Sequence, residues 1–331
     1  MMSTGAKTAN GRILVVRLGA LGDVIHALPA VASLKHSLPK SHLTWAIEPR
    51  WAPLLEGNPF VDRVVLLRRD SPAGLLASWR ELRAARYESA VDFQGLLKSA
   101  LVASAARPQR IFGFHQSQVR ERAAGLFYSN KILSGAVHVV DRNLELAAAA
   151  GAASVVCAFP LPPGRPEGQL PGGDFVLASP LAGWYAKQWP MEHYGTLARL
   201  VRQELGIPLV LDGPPAALPL FSQAADAIPH ASSLAGLIWA TRHAAAVVGV
   251  DSGPLHVAAA LGKPGVAIFG PTDPGRNGPY GESMRVLRDP DAATTYKRDS
   301  ALHESMKRIT PGDVLEALRG VLGERHRSPA A

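Results

Sequence analysis

Two aspartates stand where chemistry can be done, each at the junction of an apolar run and a helix start. Asp251 closes the run Ala244 to Val250 and opens Asp251-Ser252-Gly253-Pro254, ahead of a helix expected over Leu255 to Leu261 and stopped by Gly262-Lys263-Pro264. Small residues here leave backbone N–H groups open at a helix N-terminus, whose positive dipole end suits phosphate. Pro254 sits where the first turn tolerates a missing N–H. The next apolar strand, Gly265 to Phe269, ends in Gly270-Pro271-Thr272-Asp273-Pro274-Gly275. Two successive strand ends thus offer small, backbone-exposing loops on the carboxyl edge of a parallel sheet, where ligands of open α/β sheets bind. The plainer reading is a pair of ordinary strand–loop–helix crossovers, with Asp251 an N-cap and His256 a packed helix residue. Asp23 follows the strand Ile13 to Val16 and the turn Arg17-Leu18-Gly19-Ala20-Leu21-Gly22. It fits either an N-cap or a general base. Gly19 and Gly22 do not form G-x-G-x-x-G, so nucleotide binding at this turn has weak support.

Basic residues gather after the strand Ile111 to Phe114: His115, Arg120, Arg122, Lys131, His138 and Arg142, with Asp141 among them. Such a cluster can simply solubilise a surface. Set beside Asp23 and Lys98 on one sheet edge, it reads better as a pocket for a multiply anionic ligand.

The elements that must position these residues come in two series. Strands are expected at Leu43 to Ile47, Val64 to Leu67, Ser89 to Asp92 and Ile111 to Phe114, with helices at Val24 to His36, Ala73 to Arg86 and Arg142 to Ala150. Phe159 to Gly173, rich in proline and glycine, supports neither helix nor ladder and reads as a linker. A second series follows: strands Phe175 to Ala178 and Pro208 to Leu211, helices Met191 to Leu205, Ala216 to Ile228 and Leu234 to Arg242, then the stretch around Asp251. The result is an α/β, doubly wound architecture with domains at residues 1–160 and 161–331 and a cleft between them. The amphipathic last helix, Pro311 to Leu322, is available to pack back on the first domain.

Composition narrows the function classes. A 47% hydrophobic and 19% charged chain of 331 residues is globular with ample core. No run reaches the roughly 18 uncharged apolar residues of a membrane span, and the polar segment Met1 to Arg12 is not a signal peptide. One cysteine, Cys157, excludes an internal disulfide and fits a reducing compartment. The net charge of +8 points to an anionic partner. Aromatics at 6%, without basic interleaving, disfavour nucleic acid.

Four motifs, RLGALGDVIHALPA, DFQGLLKSA, KQWP and VDSGPLHVAAALGKPGVAIFGPTDPGRNGPYG, in this order and spacing, resemble the bacterial lipopolysaccharide heptosyltransferases, nearest the type I enzymes. The resemblance spans Ile13 to Leu322. It implies a GT-B fold of two Rossmann-like domains, the N-terminal one binding acceptor and the C-terminal one the nucleotide-sugar donor. The reaction it implies is inverting, metal-independent transfer of heptose from ADP-L-glycero-D-manno-heptose to a Kdo residue of the lipid A inner core, with no cofactor. It makes Asp23 the catalytic base and sets Lys187 against the donor diphosphate. Asp251, Ser252, Gly253, His256, Thr272 and Asp273 become donor contacts. Lys98, Arg120, His138 and Arg142 become acceptor contacts, joined by the backbone at Gly19 and Ala20. Gly19-Ala20 stands where the family often has two serines, and no glutamate follows Gly213-Pro214-Pro215, where type I members grip the donor ribose; Ala216 and Ala217 stand there instead. The implied setting is cytoplasmic and peripheral on an anionic inner membrane, where each well-placed cation contributes about 1 kcal/mol. Two further readings remain: a heptosyltransferase II- or III-like enzyme or a relative using another nucleotide-sugar donor, and a non-catalytic nucleotide-sugar-binding protein.

Overall fold

The structure is a computed structural model that describes residues 11–296 and 300–327, with side chains through 323. Most of the N-terminal tail (residues 1–10) and the last residues of the C-terminal tail (328–331) lie outside it. The chain forms two compact units, Met1–Pro160 and Leu161–Ala331.

In the first unit the order is β1 (Arg12–Val16), α1 (Leu21–Ser37), β2 (His42–Ile47), β3 (Arg63–Leu66), α2 (Pro72–Arg83), β4 (Ser89–Asp92), α3 (Leu97–Ala105), β5 (Arg110–Phe114), β6 (Asn130–Ile132) and α4 (Val139–Ala149). All strand pairs are parallel, in the order β3-β2-β1-β4-β5-β6. Parallel strands are covered on both faces, which is why Leu14, Val15, Val16, Leu43, Trp45 and Val91 are all buried without alternation. The order reverses between β1 and β4, so their carboxyl ends splay and leave a crevice flanked by Arg17–Ala20 and Phe93–Leu96.

The second unit repeats the plan. It runs β7 (Val176–Ser179), α5 (Met191–Leu205), β8 (Leu209–Gly213), α6 (Leu218–Phe221), β9 (Ile228–Ala231), α7 (Leu234–His243), β10 (Ala246–Val250), α8 (Gly253–Ala260), β11 (Gly265–Phe269), α9 (Pro274–Asn277), β12 (Met284–Arg288), α10 (Glu304–Arg308) and α11 (Pro311–Arg327). The strand order, β12-β11-β10-β7-β8-β9, is again all parallel and again reverses, between β7 and β10. Each unit is thus a Rossmann-like doubly wound sheet, as the GT-B expectation requires. The linker residues dock on the second unit: Arg242 donates to the carbonyls of Leu161 and Pro162, and Glu167 accepts from the N–H and hydroxyl of Ser233. The last helix, α11, packs on α5 and beside β11 and β12 of its own unit.

Three edge strands, β6, β9 and β12, escape the sequence pattern because they are short and partly polar. The helix expected over Ala216 to Ile228 is broken. A 3-10 turn at Pro215–Ala217 and the four-residue α6 occupy its start, and Ile228–Ala231 becomes β9. Pro229 is tolerated in β9 because that strand lies at the edge of the sheet. Among the described residues no helix is long and apolar enough to cross a membrane.

Trp189 locks the loop after β7. Its ring is buried edge-on against Tyr194, with centroids 4.8 Å apart, and its Nε1 donates to the Ile309 carbonyl at 2.9 Å. Trp189→Ala is expected to destabilise the second unit by about 3–5 kcal/mol, read as a shifted denaturant midpoint; an unchanged midpoint would show that the loop is held by other contacts.

Candidate active site

Ala20, not Asp23, is the N-cap of α1, and Asp23 lies three residues into the helix. Its Oδ2 accepts the Ala20 N–H at 3.2 Å, while its Oδ1 meets Arg17 Nη2 at 2.6 Å. Arg17 is buried; it also donates to the Phe93 carbonyl, and its own carbonyl accepts from Trp45 Nε1 at 3.0 Å. The carboxylate is therefore oriented by the crevice between β1 and β4, yet its side chain stays 46% exposed and open to a ligand. Gly19 has φ +157°, and a Cβ there would come within 2.4 Å of Trp51 Nε1. The indole occupies the space that a serine would need, which accounts for glycine at this position.

The rim of this crevice is tied down from β4. Asp92 is fully buried and accepts from Tyr128 Oη at 2.7 Å, Ser99 Oγ at 2.8 Å and the Gln94 N–H at 2.9 Å. Burial pushes its carboxyl above the usual range, against these hydrogen bonds. Gln94 in turn accepts from the Leu18 N–H at 2.8 Å, joining the β4 loop to the Asp23 loop.

Glu48, at the end of β2, was not singled out as a functional residue in the sequence. It is buried and gathers three cations: Arg69, Arg50 at 3.0 Å and Lys98 at 3.4 Å. The signal was available in Glu48-Pro49-Arg50 and Arg68-Arg69 at neighbouring strand ends, but only the β3-β2-β1 order brings them together. Of the other predicted basic residues, Arg120 is exposed, with no hydrogen bond or ion pair among the described residues. His138 caps α4, its Nδ1 accepting from the Val140 N–H at 3.1 Å, and its ring meets His26 edge-on at 5.8 Å. Arg142 lies 5.0 Å from the Phe114 ring centroid and donates to the Gln118 carbonyl.

The second unit places its polar group at the corresponding crevice. Lys187 Nζ, from the loop after β7, is 2.9 Å from Asp251 Oδ2, and Thr272 Oγ1 donates to the same oxygen at 2.7 Å. The pair is nearly sealed, with side chains 14% and 9% exposed, and the Lys187 ammonium sits 4.9 Å from the Trp184 ring centroid. Asp251 is thus a partner for Lys187, and Ser252 is the N-cap of α8. Ser252 makes no side-chain cap, and its buried hydroxyl has no partner. The N–H groups that start α8 therefore lack a side-chain acceptor, an arrangement suited to an anion. Gly253 opens α8 and His256 is buried within it, while Asp273 caps α9 by accepting the Gly275 N–H at 2.9 Å. Asp212, near the Gly213-Pro214-Pro215 turn, is committed to His230 and Ser232, each at 2.7 Å, and burial pushes its carboxyl up. The His230 ring bridges Asp212 to the linker, its Nε2 donating to the Glu167 carbonyl at 2.8 Å. Among the described residues no group of three or more His, Cys, Asp or Glu is placed to hold a metal ion.

Burial alone would raise the Glu48 carboxyl, but Lys98, Arg69 and Arg50 hold it below its usual value of 4.5. Folded Glu48 therefore binds its proton less tightly than the unfolded chain does. The stability it contributes is present above pH 4.5 and is lost as pH falls through its lowered folded value. Thermal midpoints are expected to fall on acidification in that window, and less steeply in Glu48→Gln; equal slopes would remove Glu48 from the account.

The family model for glycosyltransferase family 9 (heptosyltransferase) matches residues 75–305. Lipopolysaccharide heptosyltransferase 1 of Escherichia coli K12 is 31% identical over 313 residues, covering 84% of this chain and 94% of that protein. Lipopolysaccharide heptosyltransferase 2 of Salmonella typhimurium is 30% identical over 353 residues, covering 95% and 99%. The solved structure of E. coli heptosyltransferase WaaC with ADP-2-deoxy-2-fluoro heptose superposes with a TM-score of 0.74 at 26% identity, covering 93% of this chain and 99% of that one.

Proposed function

Since the chain belongs to glycosyltransferase family 9, the heptosyltransferases, we propose that it transfers heptose from ADP-L-glycero-D-manno-heptose to a Kdo residue of the lipid A inner core, with inversion and without a metal, working peripherally at the cytoplasmic face of the inner membrane. The observation that carries this reading is Lys187, fixed 2.9 Å from Asp251 beside the uncapped start of α8. A buried cation and open N–H groups at one strand-end crevice make a site for a diphosphate.

In the reaction the acceptor oxygen bonds to the anomeric carbon as the bond from that carbon to the diphosphate oxygen breaks. ADP leaves with the electron pair. A single displacement of this kind inverts the anomeric centre. Asp23 takes the acceptor proton, and Arg17 and the Ala20 N–H hold its carboxylate in position. Lys187, the Ser252 hydroxyl and the Gly253 N–H meet the charge that grows on the leaving diphosphate, the stabilisation a divalent metal would otherwise supply. Asp251 and Thr272 keep Lys187 in place, and His256 and Asp273, at the α8 and α9 starts, are further donor contacts. Lys98, Arg120, His138 and Arg142, with the backbone of Gly19 and Ala20, receive the acceptor's carboxylate and phosphate groups. The ribose contact differs from the type I pattern, because Ala216 and Ala217 offer no carboxylate and Asp212 is already engaged. The similarity to a heptosyltransferase 2 supports a second reading, the same chemistry on an acceptor that already carries one heptose.

With purified protein, Asp23→Ala is expected to lower kcat by about 10²–10⁴ while ADP-heptose binding is kept. Lys187→Met is expected to lower kcat by about 10²–10³. Chelator should leave turnover unchanged, and the product should show the inverted anomer by NMR. Turnover only with GDP- or UDP-sugars would sink the donor assignment, and donor binding without transfer to any acceptor would leave a binding protein.

A further inference from the structure

The helix α2 turns its apolar side chains the wrong way for a core element. Ser71 caps it by accepting the Gly74 N–H at 3.1 Å, and only Ser78 and Leu82 are buried along it. Leu75, Leu76 and Trp79, spaced to share one outward face, are 43–48% exposed. The surface continues onto α3, which touches α2 and exposes Leu97 and Leu101. It reaches the adjoining 3-10 turn Arg122–Phe127, where Leu126 is 81% exposed. Single exposed leucines are ordinary; a run of them with a tryptophan across three neighbouring elements marks an interaction surface.

Charge identifies the partner. Arg68, Arg80, Arg86 and Arg122 are exposed on the same elements or their flanks, and Arg83 stacks 4.6 Å from the Trp79 ring centroid. The acids nearby are mostly engaged: Glu81 pairs with Arg63 at 3.1 Å, and Glu121 accepts the Leu97 N–H at 2.7 Å. Leucine and tryptophan that dip into an interface, ringed by guanidinium groups on flexible stems, match a bilayer surface bearing anionic headgroups. We propose that the outward face of α2 and α3, centred on Leu75, Leu76 and Trp79, docks this protein on anionic phospholipid membranes. This deepens the reading above and rests on its lipid-linked acceptor. Both α2 and α3 begin at the strand-end edge that carries Lys98 and Arg69, so a bilayer held on this face brings headgroup-borne acceptors to that edge.

Full-length protein is expected to co-sediment with phosphatidylethanolamine–phosphatidylglycerol vesicles and not with phosphatidylcholine vesicles, and to be weakened by salt. Tryptophan emission should shift to the blue on binding, and Trp79→Phe should lose that shift. The exposed-site variant L75S/L76S/W79S should partition about tenfold less, and R80E/R86E about fivefold less per charge removed. L75S/L76S/W79S should keep full turnover on a lipid-free acceptor and lose it on acceptor embedded in vesicles. Partitioning of L75S/L76S/W79S equal to wild type overturns the proposal. So does a wild-type protein that ignores anionic vesicles while forming a dimer, in sedimentation velocity, that this variant abolishes. Vesicle binding through α2 without any heptosyl transfer would uphold the surface and refute the enzymatic reading.

Discussion

A parallel sheet whose strand order reverses must leave a crevice where the two connections part, and this constraint is met twice in the chain. After β1 and β4 the crevice holds Asp23, Arg17 and Gln94; after β7 and β10 it holds Lys187, Asp251 and Ser252. The backbone there has no neighbouring strand to satisfy it, so loops and helix starts supply the polar groups. The candidate chemistry sits at these two places because the topology leaves them open.

The two crevices treat charge differently. Asp23 is held at one side by a buried arginine but left half open, which suits a group that must meet an incoming hydroxyl. Lys187 and Asp251 are almost sealed and neutralise one another, so neither charge is buried alone. An anionic ligand that engages Lys187 has the open N–H groups of α8 as additional donors. Around the first crevice, Glu48 does for Arg50, Arg69 and Lys98 what Asp251 does for Lys187: it fixes cations whose mutual repulsion would otherwise spread them.

Much of this was legible in the residues. The central strands are continuous apolar runs, and the helices between them carry the period and caps that mark crossovers, so the doubly wound class could be read directly. Asp23, Lys187 and Asp251 stood out by their place at strand-to-helix junctions and in four spaced motifs. The edge strands were not legible: β9 contains Pro229 and β12 begins Met284-Arg285 between exposed neighbours, and such segments become strands only because a partner edge is waiting.

The sequence by itself determined the class of fold, the strand-end position of the acids and the excess of positive charge, because these follow from local period, turn chemistry and composition. Tertiary structure decided who partners whom. Asp251 became the counter-ion of Lys187 instead of a helix cap, Asp23 became a carboxylate clamped by Arg17 rather than the cap itself, and Glu48 became the centre of a cation cluster. Arg50 is a near neighbour of Glu48, but Arg17 lies six residues from Asp23, Lys98 fifty from Glu48 and Asp251 sixty-four from Lys187. Pairing at such separations is set by strand order and register, which no local pattern encodes.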